Sequence, residues 1–116
     1  MNAQAQAHYR TILEGLAGDL RRRLAESADS SAPVSPDRAI GRLTRQEALQ
    51  AQQMALAVRR RAQQQLQRVE HALELLGQGR YGRCARCGQD IGKERLDVAP
   101  DTFLCVSCID GLRRST

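Results

Sequence analysis

Apolar residues recur at steps of three and four along residues 1–79, and the polar positions between them are filled by Gln, Glu and Arg. In the first stretch the apolar positions are Tyr9, Ile12/Leu13, Leu16, Leu20 and Leu24. In the second they are Ala48, Ala51, Ala55, Val58, Ala62, Leu66, Val69, Leu73 and Leu76. Such steps keep one narrow seam of a helix turned towards a partner, as in a coiled coil. Prolines occur only at 33, 36 and 100, so residues 1–32 and 37–79 are free of the strongest helix breaker. The polar, proline-marked segment DSSAPVSPD (29–37) lies between the two stretches. The pattern predicts a mainly α protein: a long antiparallel helical hairpin over residues 1–79, with its tip at about 30–37.

The second arm is expected to start near the tip, with Ser35 as cap, Pro36 in the first helical position and Asp37 in the first turn. A helix from 37 to 78 would be roughly 63 Å long, against about 40 Å for the first arm. Its bulky end, Leu66 to Leu76, is therefore expected to outreach the first helix. Ile91, Leu96, Val98, Phe103, Leu104, Ile109 and Leu112 of the C-terminal module are available to cover it. The segment LGQGRYG (76–82) ends the helix with three glycines, and Tyr81 is expected to pack the module onto the helix end. Gly15, Gly18 and Gly41 sit inside expected helices without an evident reason.

Composition narrows the function classes. The chain has 116 residues, 3% aromatic and no Trp, and much of its 41% hydrophobic content is alanine, which leaves little for a bulky globular core. Val/Ile-rich runs of the kind that build a nucleotide-binding α/β sheet are missing, as are catalytic sets of Ser/His/Asp or paired acids. No stretch approaches the roughly 20 apolar residues that span a bilayer. No secretory signal is visible, so a cytoplasmic location is expected and no membrane partner. The net charge is +5, with residues 1–36 balanced and the excess on 37–116. Arg21–Arg23 and Arg59–Arg61 each spread over more than half a helix circumference and read as solvated, salt-bridged surface. His8 and His71 have no catalytic partner.

The four cysteines carry the clearest chemistry. Cys84 and Cys87 form one C-x-x-C, Cys105 and Cys108 another, and 17 residues separate the pairs. This spacing is that of a structural zinc site in which each pair wraps one edge of the metal and four thiolates close a tetrahedron. One structural zinc ion is the expected cofactor. With a filled shell the metal has no open position for water and is expected to be structural, not catalytic; with no catalytic residue set elsewhere, no enzyme is expected. Paired disulfides, rare in a reducing cytosol, and an iron–sulfur cluster use the same residues. A zinc finger and short C-terminal helix over residues 80–116 complete the architecture.

The segment GRYGRCARCGQDIGKERLDVAPDTFLCVSC (79–108) resembles the four-cysteine zinc finger of DksA/TraR-family regulators. The likeness lies in G-x-Y-G-x-C-x-x-C-G, in I-x-x-x-R-L and in the proline before the second C-x-x-C. The helical hairpin ahead of the finger agrees with the family's coiled coil. The resemblance implies a transcription regulator that binds bacterial RNA polymerase through the secondary channel, its coiled-coil tip directed at the active centre to modulate initiation. In many members this action is joined to ppGpp, the alarmone of the stringent response, which makes ppGpp a candidate further partner. The family tip pattern Asp-x-x-Asp-x-Ala matches here at Asp37 and Ala39, while Val34 stands at the first Asp. Ala99 stands before the finger's proline, where the alarmone-dependent member has a basic residue. A monomer that reads no specific DNA sequence is expected. A zinc-finger DNA-binding protein and a coiled-coil adaptor are the alternative readings.

Overall fold

A computed structural model describes residues 1–28 and 44–115 of the chain. Four helices follow one another: α1 (Ala3–Glu26), α2 (Arg45–Gly77), α3 (Lys93–Val98) and α4 (Val106–Ser115). Helix α1 packs along the C-terminal part of α2 as an antiparallel hairpin. The cysteine-bearing segment and the two short helices form its base. The described residues contain no strand beyond one antiparallel bridge between Arg83 and Asp90. Principal extents of 57 × 34 × 20 Å and a radius of gyration of 18.8 Å mark an elongated body. A compact chain of this length would have a radius near 13 Å. Among the described residues no helix is long and apolar enough to cross a membrane.

The two long helices start where a polar side chain satisfies one of their first N–H groups. Asn2 accepts from the N–H of Ala5 at 2.7 Å and begins α1. Thr44 begins α2 with a full capping box: its hydroxyl accepts from the N–H of Glu47 at 3.1 Å, and the Glu47 carboxylate accepts from the N–H of Thr44 at 3.4 Å. The second helix thus starts at Arg45, not at 37, and spans about 50 Å instead of 63 Å. The expected roles of Ser35, Pro36, Asp37 and Gly41 lie outside the described residues. At the far end the helix stops in a Schellman turn. Gly79, at φ +71°, donates to the carbonyl of Leu76 (3.2 Å), and Arg80 donates to that of Leu75 (2.8 Å).

The seam is built as the periodicity predicts over its lower half. Tyr9, Leu13 and Leu20 of α1 and Val69 and Leu76 of α2 are buried, with Ile12, Leu16, Ala62, Leu66 and Leu73 packed around them. Two small residues absent from the predicted seam, Ala17 and Ala72, are also buried and let the helices approach closely. The upper half departs from the expectation: Ala51 is exposed and Val58 is 58% exposed. Helix α1 ends at Glu26, and Ser27 lies beside Arg59, so residues 45–58 reach past it. The overhang is therefore at the opposite end from the one expected, and Leu66–Leu76 packs on α1. Arg59 closes this end by donating to the carbonyl of Leu24 and, at 3.0 Å, to the Ser27 hydroxyl. It adds a charged donor to a carbonyl in the last turn of α1 that also accepts from the Ser27 hydroxyl at 3.3 Å. Arg21 (to Glu70, 3.4 Å) and Arg22 (to Asp19) form the exposed ion pairs expected of such surface.

Candidate metal centre

The chain leaves α2 through Gly79 and enters a tight double-backed turn around the first cysteine pair. The N–H of Cys84 donates to the carbonyl of Gln89 (2.8 Å), that of Gly88 to Cys84 (2.9 Å), and that of Ile91 to Gly82 (2.8 Å). These bonds turn the backbone N–H groups of residues 86 and 87 towards the Cys84 sulfur. The second pair sits where the chain enters α4, and the N–H of Ile109 donates to the carbonyl of Cys105 at 3.0 Å. A bond from the N–H of Ala85 to the carbonyl of Phe103, 2.8 Å long, ties the two halves together.

The fold brings all four predicted ligands to one point. The sulfurs of Cys84, Cys87, Cys105 and Cys108 lie within 4.8 Å of one another, and those of Cys87 and Cys105 are 3.8 Å apart. In a regular tetrahedron with zinc–sulfur bonds of about 2.3 Å the sulfur–sulfur edge is about 3.8 Å, so the set has the size a zinc ion requires. A disulfide needs sulfurs about 2.05 Å apart, and all four cysteines are free thiols. Cys84 is buried at 3% exposure, Cys105 and Cys108 are half-buried, and Cys87 faces solvent. Four thiols this close cannot all ionise unaided. Backbone N–H groups, that of Cys105 first, pull the Cys84 thiol down to about 6, against the opposing effect of burial. Hydrogen bonds shared with Cys105 and Cys84 push the Cys108 thiol up to about 12. A central divalent cation is the group that stabilises four thiolates together.

The base is fixed to the hairpin by side chains. Tyr81 is 6% exposed, its ring centroid is 5.5 Å from that of Tyr9, and its hydroxyl donates to the carbonyl of Pro100 at 2.7 Å. Tyr81 thus packs the finger on the helix end as its sequence position predicts. Ile91 and Leu96 are buried in the same cluster and Leu104 is partly buried. Val98 (82% exposed), Phe103 and Leu112 instead face solvent, which corrects their expected role as cover for the helix. Sequence reasoning missed two polar ties. The Tyr9 hydroxyl donates to Asp97 at 2.9 Å, and Arg68 pairs with Asp101 at 3.1 Å. Partners separated by 88 and 33 positions leave no local signal. The tip residues Asp37 and Ala39 lie outside the described residues.

Comparison with known proteins gives this geometry a family. Residues 79–110 match the prokaryotic dksA/traR C4-type zinc finger. The RNA polymerase-binding transcription factor DksA of Escherichia coli K12 is 30% identical, in an alignment that covers 93% of this chain and 71% of that protein. The protein of the same name from Haemophilus influenzae is 29% identical over 93% of this chain and 74% of its own length. Among solved structures, the transcription factor DksA2 of Pseudomonas aeruginosa superposes with a TM-score of 0.78 at 26% identity, covering 99% of this chain and 88% of that one. These relatives are named as transcription factors, not enzymes. The clustered cysteines, the finger match and the likeness that runs through hairpin and base together show that the chain belongs to the DksA/TraR family of regulators.

Proposed function

We propose that this chain binds bacterial RNA polymerase and modulates transcription initiation, with the hairpin entering the secondary channel and its tip directed at the active centre. The observation that supports this most is the extent of the likeness. A relative named for binding RNA polymerase aligns over 93% of this chain, hairpin and finger together. In this reading residues 1–79 are the reaching arm and residues 80–116 the base. Cys84, Cys87, Cys105 and Cys108 hold one structural zinc, which supplies folding energy and no chemistry on a substrate. The protein acts as a monomer in the cytoplasm. Asp37 and Ala39 are the tip residues that act near the polymerase centre, and ppGpp is a candidate effector.

The test is binding of the zinc-loaded chain to purified bacterial RNA polymerase at physiological salt, with a promoter duplex as control ligand. Binding to the polymerase and not to the duplex is the expected result. Duplex binding with a steep salt dependence and no polymerase binding would replace this reading with a DNA-binding one. Asp37→Asn is expected to leave polymerase binding intact and weaken the effect on initiation, with and without ppGpp. Unchanged transcription by that variant would remove Asp37 from the tip assignment.

A further inference from the structure

Two side chains of the hairpin, one from each long helix, reach one five-residue segment of the base, and a third side chain holds that segment from within the base. Tyr9 of α1 donates to Asp97 (2.9 Å), Tyr81 just beyond α2 donates to the carbonyl of Pro100 (2.7 Å), and Arg68 of α2 pairs with Asp101 (3.1 Å). The segment 97–101 is itself held by the N–H of Ala99 on the carbonyl of Arg95 (2.8 Å) and the N–H of Thr102 on that of Ala99 (3.1 Å). It runs on through Phe103, which pairs with Ala85, to Cys105. The apolar contact beneath, made by Tyr9, Leu76, Tyr81 and Leu96, is non-directional and does not by itself set an angle. Helices α3 and α4 do not pack lengthwise on the hairpin. Of the directional bonds to segment 97–101, those of Tyr9 and Arg68 cross from the two hairpin helices, and that of Tyr81 lies within the base.

We infer that Tyr9 and Arg68 are positioning residues: with segment 97–101, which Tyr81 holds from within the base, they form a two-point strut that sets the angle at which the hairpin leaves the metal-bearing base. From Gly77 at its lower end α2 runs about 36 Å to position 53, so a tilt of about 5° at the base carries that position about 3 Å. The strut has one anchor on each long helix. Loss of one anchor frees a rotation about the other, and loss of both frees the tilt. The inference concerns the shape of the free protein and stands whether or not the polymerase is its partner.

The experiment uses the full zinc-loaded chain with spin labels on azide-bearing noncanonical residues at positions 53 and 110, which leaves the cysteines untouched. Distances between the labels are read by pulsed electron resonance in wild type, Y9F/R68Q, R68Q and, as a control within the hairpin, R21Q. Tyr9→Phe keeps the ring in place, and Arg68 is 44% exposed, so helicity and zinc content should match wild type in both strut variants. The expected result is a distance distribution broadened or shifted by up to about 3 Å in Y9F/R68Q, less in R68Q and not at all in R21Q. If Y9F/R68Q loses helicity or zinc, R68Q alone decides. A strut-variant distribution that superimposes on wild type, or one that broadens equally in R21Q, overturns the inference.

Discussion

Leu13→Ala tests the helical seam most sharply, because Leu13 is wholly buried between α1 and α2 at 0% exposure. The substitution removes three carbons. At about 0.8 kcal/mol per buried methylene the lost transfer energy is about 2.4 kcal/mol. Val69, also at 0%, and Ala17 at 1% line the same part of the seam, so little slack exists to collapse into the space. An unfilled cavity adds about 1 kcal/mol or more, which gives an expected loss of about 3–4 kcal/mol. The comparison variant is Leu49→Ala, at a position 42% exposed on the part of α2 that outreaches α1, where a loss below about 1 kcal/mol is expected. Urea unfolding followed by circular dichroism measures both. With a slope of about 1.5–2 kcal/mol per molar, Leu13→Ala should lower the midpoint by about 2 M and leave the slope unchanged. If Leu13→Ala costs no more than Leu49→Ala, the register of the hairpin is wrong.

Three further outcomes follow from the base and its turns. Cys84→Ser, or chelation of the wild type, should unfold the base and free the backbone at Arg80, Arg83, Arg86 and Arg95 for cleavage by trypsin, because a structural metal site contributes its binding energy to folding; an unchanged digestion pattern and melting temperature with chelator would refute a structural metal. Gly79→Ala should destabilise by about 1–2 kcal/mol because its φ of +71° is strained for an L side chain, whereas Gly18→Ala, inside α1 with no atom within 4 Å of the new methyl, should stabilise by up to about 1 kcal/mol in the same melting assay. Burial, and then the bond to Asp97, raises the Tyr9 phenol above its usual range, and burial raises Tyr81 likewise. The folded state therefore holds these protons more tightly than the unfolded state. Their contribution is complete below about pH 10 and is lost as pH rises through the folded values. Melting temperatures followed from about pH 8 to 11 should fall less steeply in Tyr9→Phe than in wild type; parallel curves would show that Tyr9 is not held this way.

The parts of this molecule legible in its sequence are those whose signals are local. Tyr9, Leu13, Leu20, Val69 and Leu76 stand at helical steps and are the buried residues of the seam. Two C-x-x-C pairs at metal spacing do meet at one point. The start of α2 was also written locally, in the Thr44-x-x-Glu47 box, but the Ser-Pro-Asp signal at 35–37 competes with it and points to an earlier start. From that early start came the misplaced overhang, since which end of a hairpin outreaches the other depends on where each helix begins. Ala17 and Ala72 escaped notice because a buried alanine looks like any helix-forming alanine until the partner helix is in place. Nothing in the sequence around Asp97 and Asp101 marks them as anchors. Their partners, Tyr9 and Arg68, become visible only after the finger folds back on the stem.

The most direct test of the central claim is competition on purified bacterial RNA polymerase between the zinc-loaded chain and a second factor known to occupy the secondary channel. Mutual displacement, with both factors unable to sit on one polymerase, is the result expected of a hairpin that uses that channel. Simultaneous binding would put this chain elsewhere on the enzyme, and no binding at all would mean that the family fold serves a different partner here.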